Sequence, residues 1–115
     1  MNLKLLPHFL IVGAPKCGTT ALHNYLSQHP DLNLSPKEIH FFGKDLGYKV
    51  KRPSLSEYQS YFKEKGLNGD GSVWYLYSDT IYQELNNLGI KPKIIVLLRD
   101  PVEVTYALHS QNIVD

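Results

Sequence analysis

Two unbroken apolar runs frame the chain: "FLIV" before Gly13, and the six residues Lys93 to Leu98, dominated by Ile, Val and Leu. Short continuous apolar runs bounded by turn residues are the form of strands buried on both faces of a parallel sheet. After the first run, "TALHNYLSQHP" places Leu22, Tyr25 and Leu26 at helical spacing, with Pro30 as the stop. Leu32 and Leu34 alternate briefly before Pro36 breaks the pattern, which predicts a short strand and then a loop. In "SLSEYQSYFKEKG", Ser54 and Glu57 form a capping-box pair, Tyr58, Tyr61 and Phe62 share a face, and Gly66 supplies the end of a helix. "NGDGSVWYLYS" reads as a turn followed by a β-rich run, and "SDTIYQELNNLG" as a helix from a cap at Ser78 or Asp79 to Gly89. After the second apolar run, Pro101 suits a first helical turn capped by Asp100, with Val104 and Leu108 at helical spacing.

Alternating strands and helices imply a parallel sheet with right-handed crossovers, and ligands of such sheets bind beyond the carboxyl ends of the strands. The expected fold is α/β, a three-layer α/β/α core of the P-loop type. No repeat and no linker divides the 115 residues, so one domain is expected over residues 1–115.

Composition narrows the function classes. Hydrophobic residues make up 43% and charged residues 20%, a globular balance. The net charge of +1 leaves no global basic field of the kind that marks a general nucleic-acid binder, so any anion site must be local. Cys17 is the single cysteine, which excludes an internal disulfide and a thiol-only metal site. His8, His23, His29 and His109 show no metal-ligand spacing. The run from Phe9 to Val12 is too short to span a membrane or to form a secretory signal, and the expectation is a cytoplasmic protein without a membrane partner.

The chemistry concentrates in "IVGAPKCGTTAL". Gly13 and Gly18 have the spacing of a phosphate loop, but Thr19 stands where a nucleotidase loop has its lysine, and the lysine comes three residues earlier as Lys16. The amides around Gly18, Thr19 and Thr20 open a helix and favour an anion.

These residues resemble the sulfotransferases that use 3′-phosphoadenosine 5′-phosphosulfate, especially the branch that modifies carbohydrates. "PKCGTTAL" looks like their 5′-phosphosulfate loop, "KEIHFF" like the acidic-aromatic segment, and "LLRDPVEVTYALHS" like the 3′-phosphate segment, all in order. The resemblance implies that Lys16, Cys17, Gly18, Thr19 and Thr20 hold the nucleotide donor. It also implies that Lys16 stabilises the charge developing on the bridging oxygen as the sulfuryl group leaves. Glu38 matches the general base, and His40, two residues on, is the competing base; in an extended segment the two would share a side. Arg99 matches the 3′-phosphate anchor. The family pattern there is R-x-P-x-x-R-x-x-S, and this chain has Val104 and Ala107 at the later positions, leaving Ser110 one turn on as a partial replacement. No metal is expected.

Each residue also has a plainer reading. Lys16 is then a solvated loop lysine, Thr19 and Thr20 helix caps, Cys17 a small filler, Glu38 a surface charge, and Phe41 and Phe42 core or pocket wall. Trp74 in "SVWYL" resembles the segment near the acceptor site, although a buried strand accounts for its composition. Lys49, Lys51 and Arg52 form a basic run that suits an anionic glycan or a solvated loop. The leading expectation is sulfuryl transfer to a hydroxyl or amine of an acceptor, a carbohydrate by analogy, from a domain incomplete at its C-terminus. A non-catalytic nucleotide-binding module and a kinase-type phosphotransferase are the alternatives. Thr19 in the lysine position and the lack of an acidic strand end, Asp100 aside, count against the kinase.

Overall fold

The computed structural model describes residues 5–49, 51–103, 105, 106 and 109. The elements are strands β1 (Phe9–Gly13), β2 (Leu32–Leu34), β3 (Leu67–Gly71) and β4 (Lys93–Val96), and helices α1 (Thr19–Ser27), α2 (Leu55–Gln59) and α3 (Ile81–Leu88). Residues 101–103, 105, 106 and 109 are also helical. The four strands form one parallel sheet in the order β2-β3-β1-β4.

Alternation along β1 builds two layers of packing. Leu10 and Val12 join Leu6, Phe42, Tyr58, Phe62, Tyr75 and Leu85 in the main core, which α2 and α3 cover. Ile11 faces the other way, toward Thr19 and His23 of α1. Helices therefore lie on both faces, as the α/β pattern predicts.

β3 departs from the expected pattern. The "NGDG" read as a turn is the strand itself, and the "WYLY" read as a strand forms a 3-10 turn at Tyr75–Tyr77. The reason is steric and polar. A Cβ on Gly69 would lie 2.2 Å from the Phe9 ring, so only glycine lets β3 approach β1 there. The polar residues on either side are buried with partners. The Asn68 backbone N–H donates to His8 Nδ1 at 2.8 Å and its side chain bonds Asn33 and the Lys63 backbone. Asp70 accepts from Tyr58 Oη at 2.7 Å, Tyr75 Oη at 2.8 Å and Ser35 Oγ at 3.2 Å.

Three further expectations change. The helix opened by Ser54 ends at Gln59 rather than near Gly66; Ser54 Oγ accepts the Glu57 N–H at 3.1 Å, while Tyr61 turns outward. α3 begins at Ile81, and Ser78 serves it from a distance by accepting the Ile81 N–H at 3.1 Å. Asp45 pins that same corner, and the hydroxyl of Ser78 with the N–H of Asp79 lowers its carboxyl to about 2. β4 begins at Lys93 as predicted but ends at Val96 rather than Leu98, and it is not buried: it pairs with β1 alone, at the edge of the sheet, and Ile94 and Val96 are exposed. An apolar run marks a strand suited to cover without showing that cover is present on both faces.

Burial raises the Asp70 carboxyl above its ordinary range, and the three hydroxyls only partly offset this. A raised folded-state value means that the native state holds the proton more tightly than the unfolded chain. Stability from this group is full below the ordinary value and is lost as pH rises through the folded one. Asp70→Asn should cost about 1–3 kcal/mol by unbalancing two buried tyrosine hydroxyls. Urea unfolding from roughly pH 4 to pH 8 should show the wild-type advantage shrinking as pH rises, and a pH-independent difference would contradict this account.

Candidate active site

The loop between β1 and α1 ends in Gly18, whose left-handed φ of 89° turns the chain into the helix. No side chain caps α1, so its first-turn N–H groups, which have no intrahelical acceptor, are free for an anion. Gly18, Thr19, Thr20 and Lys16 line a cleft of about 890 Å³. Cys17 does not line it; its thiol turns to the Pro15 carbonyl at 3.5 Å.

The segment after β2 contributes to the same cleft. Glu38 lines the same cleft, fixed by donors on both oxygens: the Val73 N–H at 3.0 Å on Oε1, and Ser72 Oγ at 2.9 Å and His40 Nε2 at 2.8 Å on Oε2. The backbone N–H of Glu38 donates to Gly71 O at 3.0 Å, tying the segment to the end of β3. Glu38 and His40 do meet, but not through an extended segment. Their φ values are 61° and 56°, and Lys16 has 61°; among the described residues these three are the non-glycines in the left-handed region. Such conformations cost of order 1–3 kcal/mol each and gather at functional sites.

His40 lies behind Glu38 rather than on the cleft, stacked on Tyr48 with ring centroids 3.9 Å apart. Its Nε2 lies 2.8 Å from Glu38 Oε2, and its Nδ1 is buried and without a partner among the described residues. Desolvation pushes the Tyr48 phenol up to about 12, so it remains a neutral hydroxyl.

Arg99 reaches this loop from the end of β4. Its Nη1 donates to the Lys16 carbonyl at 3.0 Å and its Nε to Glu103 at 3.2 Å. Backbone bonds between Gly13 or Ala14 and Leu97 close the same junction. Asp100 caps the following helix by accepting the Val102 N–H at 2.8 Å. Ser110, with Val104 and Ala107, lies outside the described residues.

Sequence reasoning missed Ser72, Val73, Lys37 and Asn24, of which Lys37, Asn24 and Val73 line the cleft while Ser72 holds Glu38. Reading "SVWYL" as a buried strand hid the first two, and Trp74 is in fact 46% exposed on the cleft wall. Arg52, assigned to a basic run, is structural: its Nε donates to Phe41 O at 3.0 Å and its Nη2 to Phe41 O and Glu84. Among the described residues no group of three His, Cys, Asp or Glu side chains is placed to hold a metal ion, and no helix is long and apolar enough to cross a membrane.

Comparison with known proteins places this cleft in context. A family model described as "Sulfotransferase family" matches residues 7–86. Membrane-associated sulfotransferase kil1 of Dictyostelium discoideum is 35% identical over 105 residues, which are 89% of this chain and 22% of that protein. Bifunctional heparan sulfate N-deacetylase/N-sulfotransferase 4 of Mus musculus is 34% identical over 93% of this chain and 13% of its own length. A crystal structure of a sulfotransferase from Alicyclobacillus acidocaldarius superposes with a TM-score of 0.81 at 31% identity, over 94% of this chain and 50% of that one. The chain thus spans half of the solved structure and less than a quarter of these two longer relatives.

The backbone of Lys16 provides a test independent of ligands. Its side chain is exposed and its φ is 61°, so Lys16→Gly should be more stable than Lys16→Ala by about 1 kcal/mol, the scale of the left-handed penalty. Thermal or urea unfolding of the two variants decides it; a more stable alanine variant would show that the loop does not hold this conformation.

Proposed function

Because the chain belongs to the sulfotransferase family, we propose that it carries the donor half of a sulfuryl-transfer site. The donor is 3′-phosphoadenosine 5′-phosphosulfate, and the acceptor is a hydroxyl or amine of a carbohydrate. The observation that carries this reading is the shared cleft. Lys16, the uncapped start of α1 and Glu38 line it together.

The residues present suit a phosphosulfate. The amides at Gly18, Thr19 and Thr20 offer donors and the positive end of the helix dipole to a doubly substituted anion. The bound nucleotide would supply the activated sulfuryl group. Lys16 would neutralise charge as it grows on the leaving oxygen, a preorganised contact that strengthens along the reaction coordinate. Glu38 would take the proton from the acceptor, with Ser72, Val73 and His40 holding its carboxylate in register. Among these, His40 is a positioning residue, since it touches Glu38 and not the cleft. Arg99 would anchor the 3′-phosphate while its Nη1 steadies the Lys16 carbonyl. The carbohydrate acceptor draws support from the relatives whose names specify heparan sulfate or carbohydrate.

Adenosine 3′,5′-bisphosphate should raise the melting temperature, while ATP with magnesium should not. Binding to the native state alone stabilises by about 2.7 kcal/mol at a hundredfold excess over Kd. Arg99→Ala should weaken the bisphosphate by about 1.5–3 kcal/mol and leave adenosine 5′-monophosphate much less affected, as calorimetry can measure. Stabilisation by Mg-ATP equal to that by the bisphosphate would favour the kinase-type alternative. Equal loss for both nucleotides would make Arg99 a structural residue only.

A further inference from the structure

We propose that Lys37 is a positioning residue that shields the Glu38 carboxylate before the donor binds and passes to the sulfuryl end of the bound donor, which opens the base only once the donor is in place. This role rests on the transfer reading above and adds to it a residue that the sequence pattern did not single out.

A carboxylate offers about four lone-pair positions on its two oxygens. Those of Glu38 are unevenly used. Oε2 meets both Ser72 Oγ and His40 Nε2, whereas Oε1 accepts one hydrogen bond, from the Val73 N–H. The capacity left for an acceptor hydroxyl or amine is therefore on Oε1, and the Lys37 ammonium lies 3.9 Å from that oxygen. Of these neighbours Lys37 is the one free to leave. Ser72 is buried, Val73 donates from its backbone, and His40 is stacked on Tyr48. The Lys37 backbone is held on either side, by the Ser35 N–H on Gly69 O and the Glu38 N–H on Gly71 O, both at 3.0 Å, while its side chain is 34% exposed. At 3.9 Å the contact is an ion pair without a hydrogen bond, a weak tie for a partly solvated lysine.

The cleft also supplies the place to which Lys37 moves. Lys37 lines it with Lys16 and the first turn of α1, and with Thr19 and His23 it borders a small cavity beside Glu38. Its side chain thus has the carboxylate on one hand and the anion-binding amides of α1 on the other. A sulfuryl group on a donor held by those amides presents charged oxygens to the ammonium, a charge-assisted contact stronger than a pair at 3.9 Å. Lys37 then yields Oε1 to the acceptor. In the transfer the acceptor oxygen bonds the sulfur, and the bond from sulfur to the bridging oxygen breaks with its electron pair going to the nucleotide. The acceptor proton passes to Oε1. Before the donor binds, Lys37 stays beside Oε1, so deprotonation of the acceptor waits for the group it serves.

Calorimetry of the full chain with 3′-phosphoadenosine 5′-phosphosulfate, and with adenosine 3′,5′-bisphosphate, which lacks the sulfuryl group, tests this without turnover. Lys37→Met, shown to be folded by its melting temperature, should bind the phosphosulfate about tenfold more weakly and the bisphosphate as well as the wild type does. Lys37→Arg, which keeps the charge, should recover most of the loss. Glu38→Gln removes the other partner of Lys37, so it should tighten the phosphosulfate severalfold, and by less when Lys37→Met is also present. A lysine with a merely structural role would not produce that coupling. Equal loss of both nucleotides in Lys37→Met, or a Glu38→Gln gain that is the same in both backgrounds, would overturn the proposal. A wild type that binds both nucleotides, with Lys37→Met binding them equally well, would overturn the role of Lys37 and leave the transfer reading standing. A wild type that binds neither nucleotide would remove the transfer reading and the role of Lys37 with it.

Discussion

The Asp70 carboxylate, buried in the middle of the sheet, accepts hydroxyls from three separate parts of the chain: Ser35 after β2, Tyr58 in α2 and Tyr75 after β3. Burying an acid is expensive, and the cost is tolerable only while every donor is in place. Tyr75 Oη also accepts the Phe41 N–H at 3.2 Å, so the network extends into the segment that bears Glu38 and His40. Arg52 and Glu84 hold the far end of that segment through Phe41 O and the N–H groups of Gly43 and Lys44. A segment with little regular structure is thereby fixed at both ends. This is what allows Glu38 to keep a left-handed conformation and to line the same cleft as Lys16.

Topology supplies the other half of the site. β1 lies inside the sheet with β3 on one side and β4 on the other, so the loop after β1 emerges where the chain connections diverge. In open parallel sheets that crevice is where ligands bind. Glu38 enters it from the β3 side through Gly71 O, Ser72 and Val73, and Arg99 from the β4 side through Lys16 O. Residues far apart in sequence meet because β3 and β4 flank β1 and both end beside its carboxyl-terminal part, Gly71 opposite Ile11 and Val96 opposite Gly13.

What the sequence made legible was local. The glycine loop, the Ser54 cap, the Asp100 cap and the strand at Phe9–Gly13 depend on neighbours within a few residues, and all are present. β3 was not legible, because Asn-Gly-Asp-Gly satisfies its polar groups through partners as distant as His8 and Ser35, while local chemistry alone favours a turn. The exposure of Trp74 and the structural duty of Arg52 were hidden for the same reason. For Glu38 and His40, the resemblance named the residues, but their meeting through left-handed backbone required the anchors on β3 and its following turn.

The central claim is that Lys16 and Glu38, which line one cleft, serve one transfer site, and transfer itself tests it most directly. Labelled sulfate from 3′-phosphoadenosine 5′-phosphosulfate should appear on an oligosaccharide acceptor with the wild-type protein. Lys16→Ala should slow it by about a hundredfold to a thousandfold, with little change in nucleotide affinity, and Glu38→Gln should also abolish most of the rate. Transfer that survives both substitutions would contradict the mechanism, and a wild-type protein that binds the nucleotide yet transfers to no acceptor would identify a binding module in place of an enzyme.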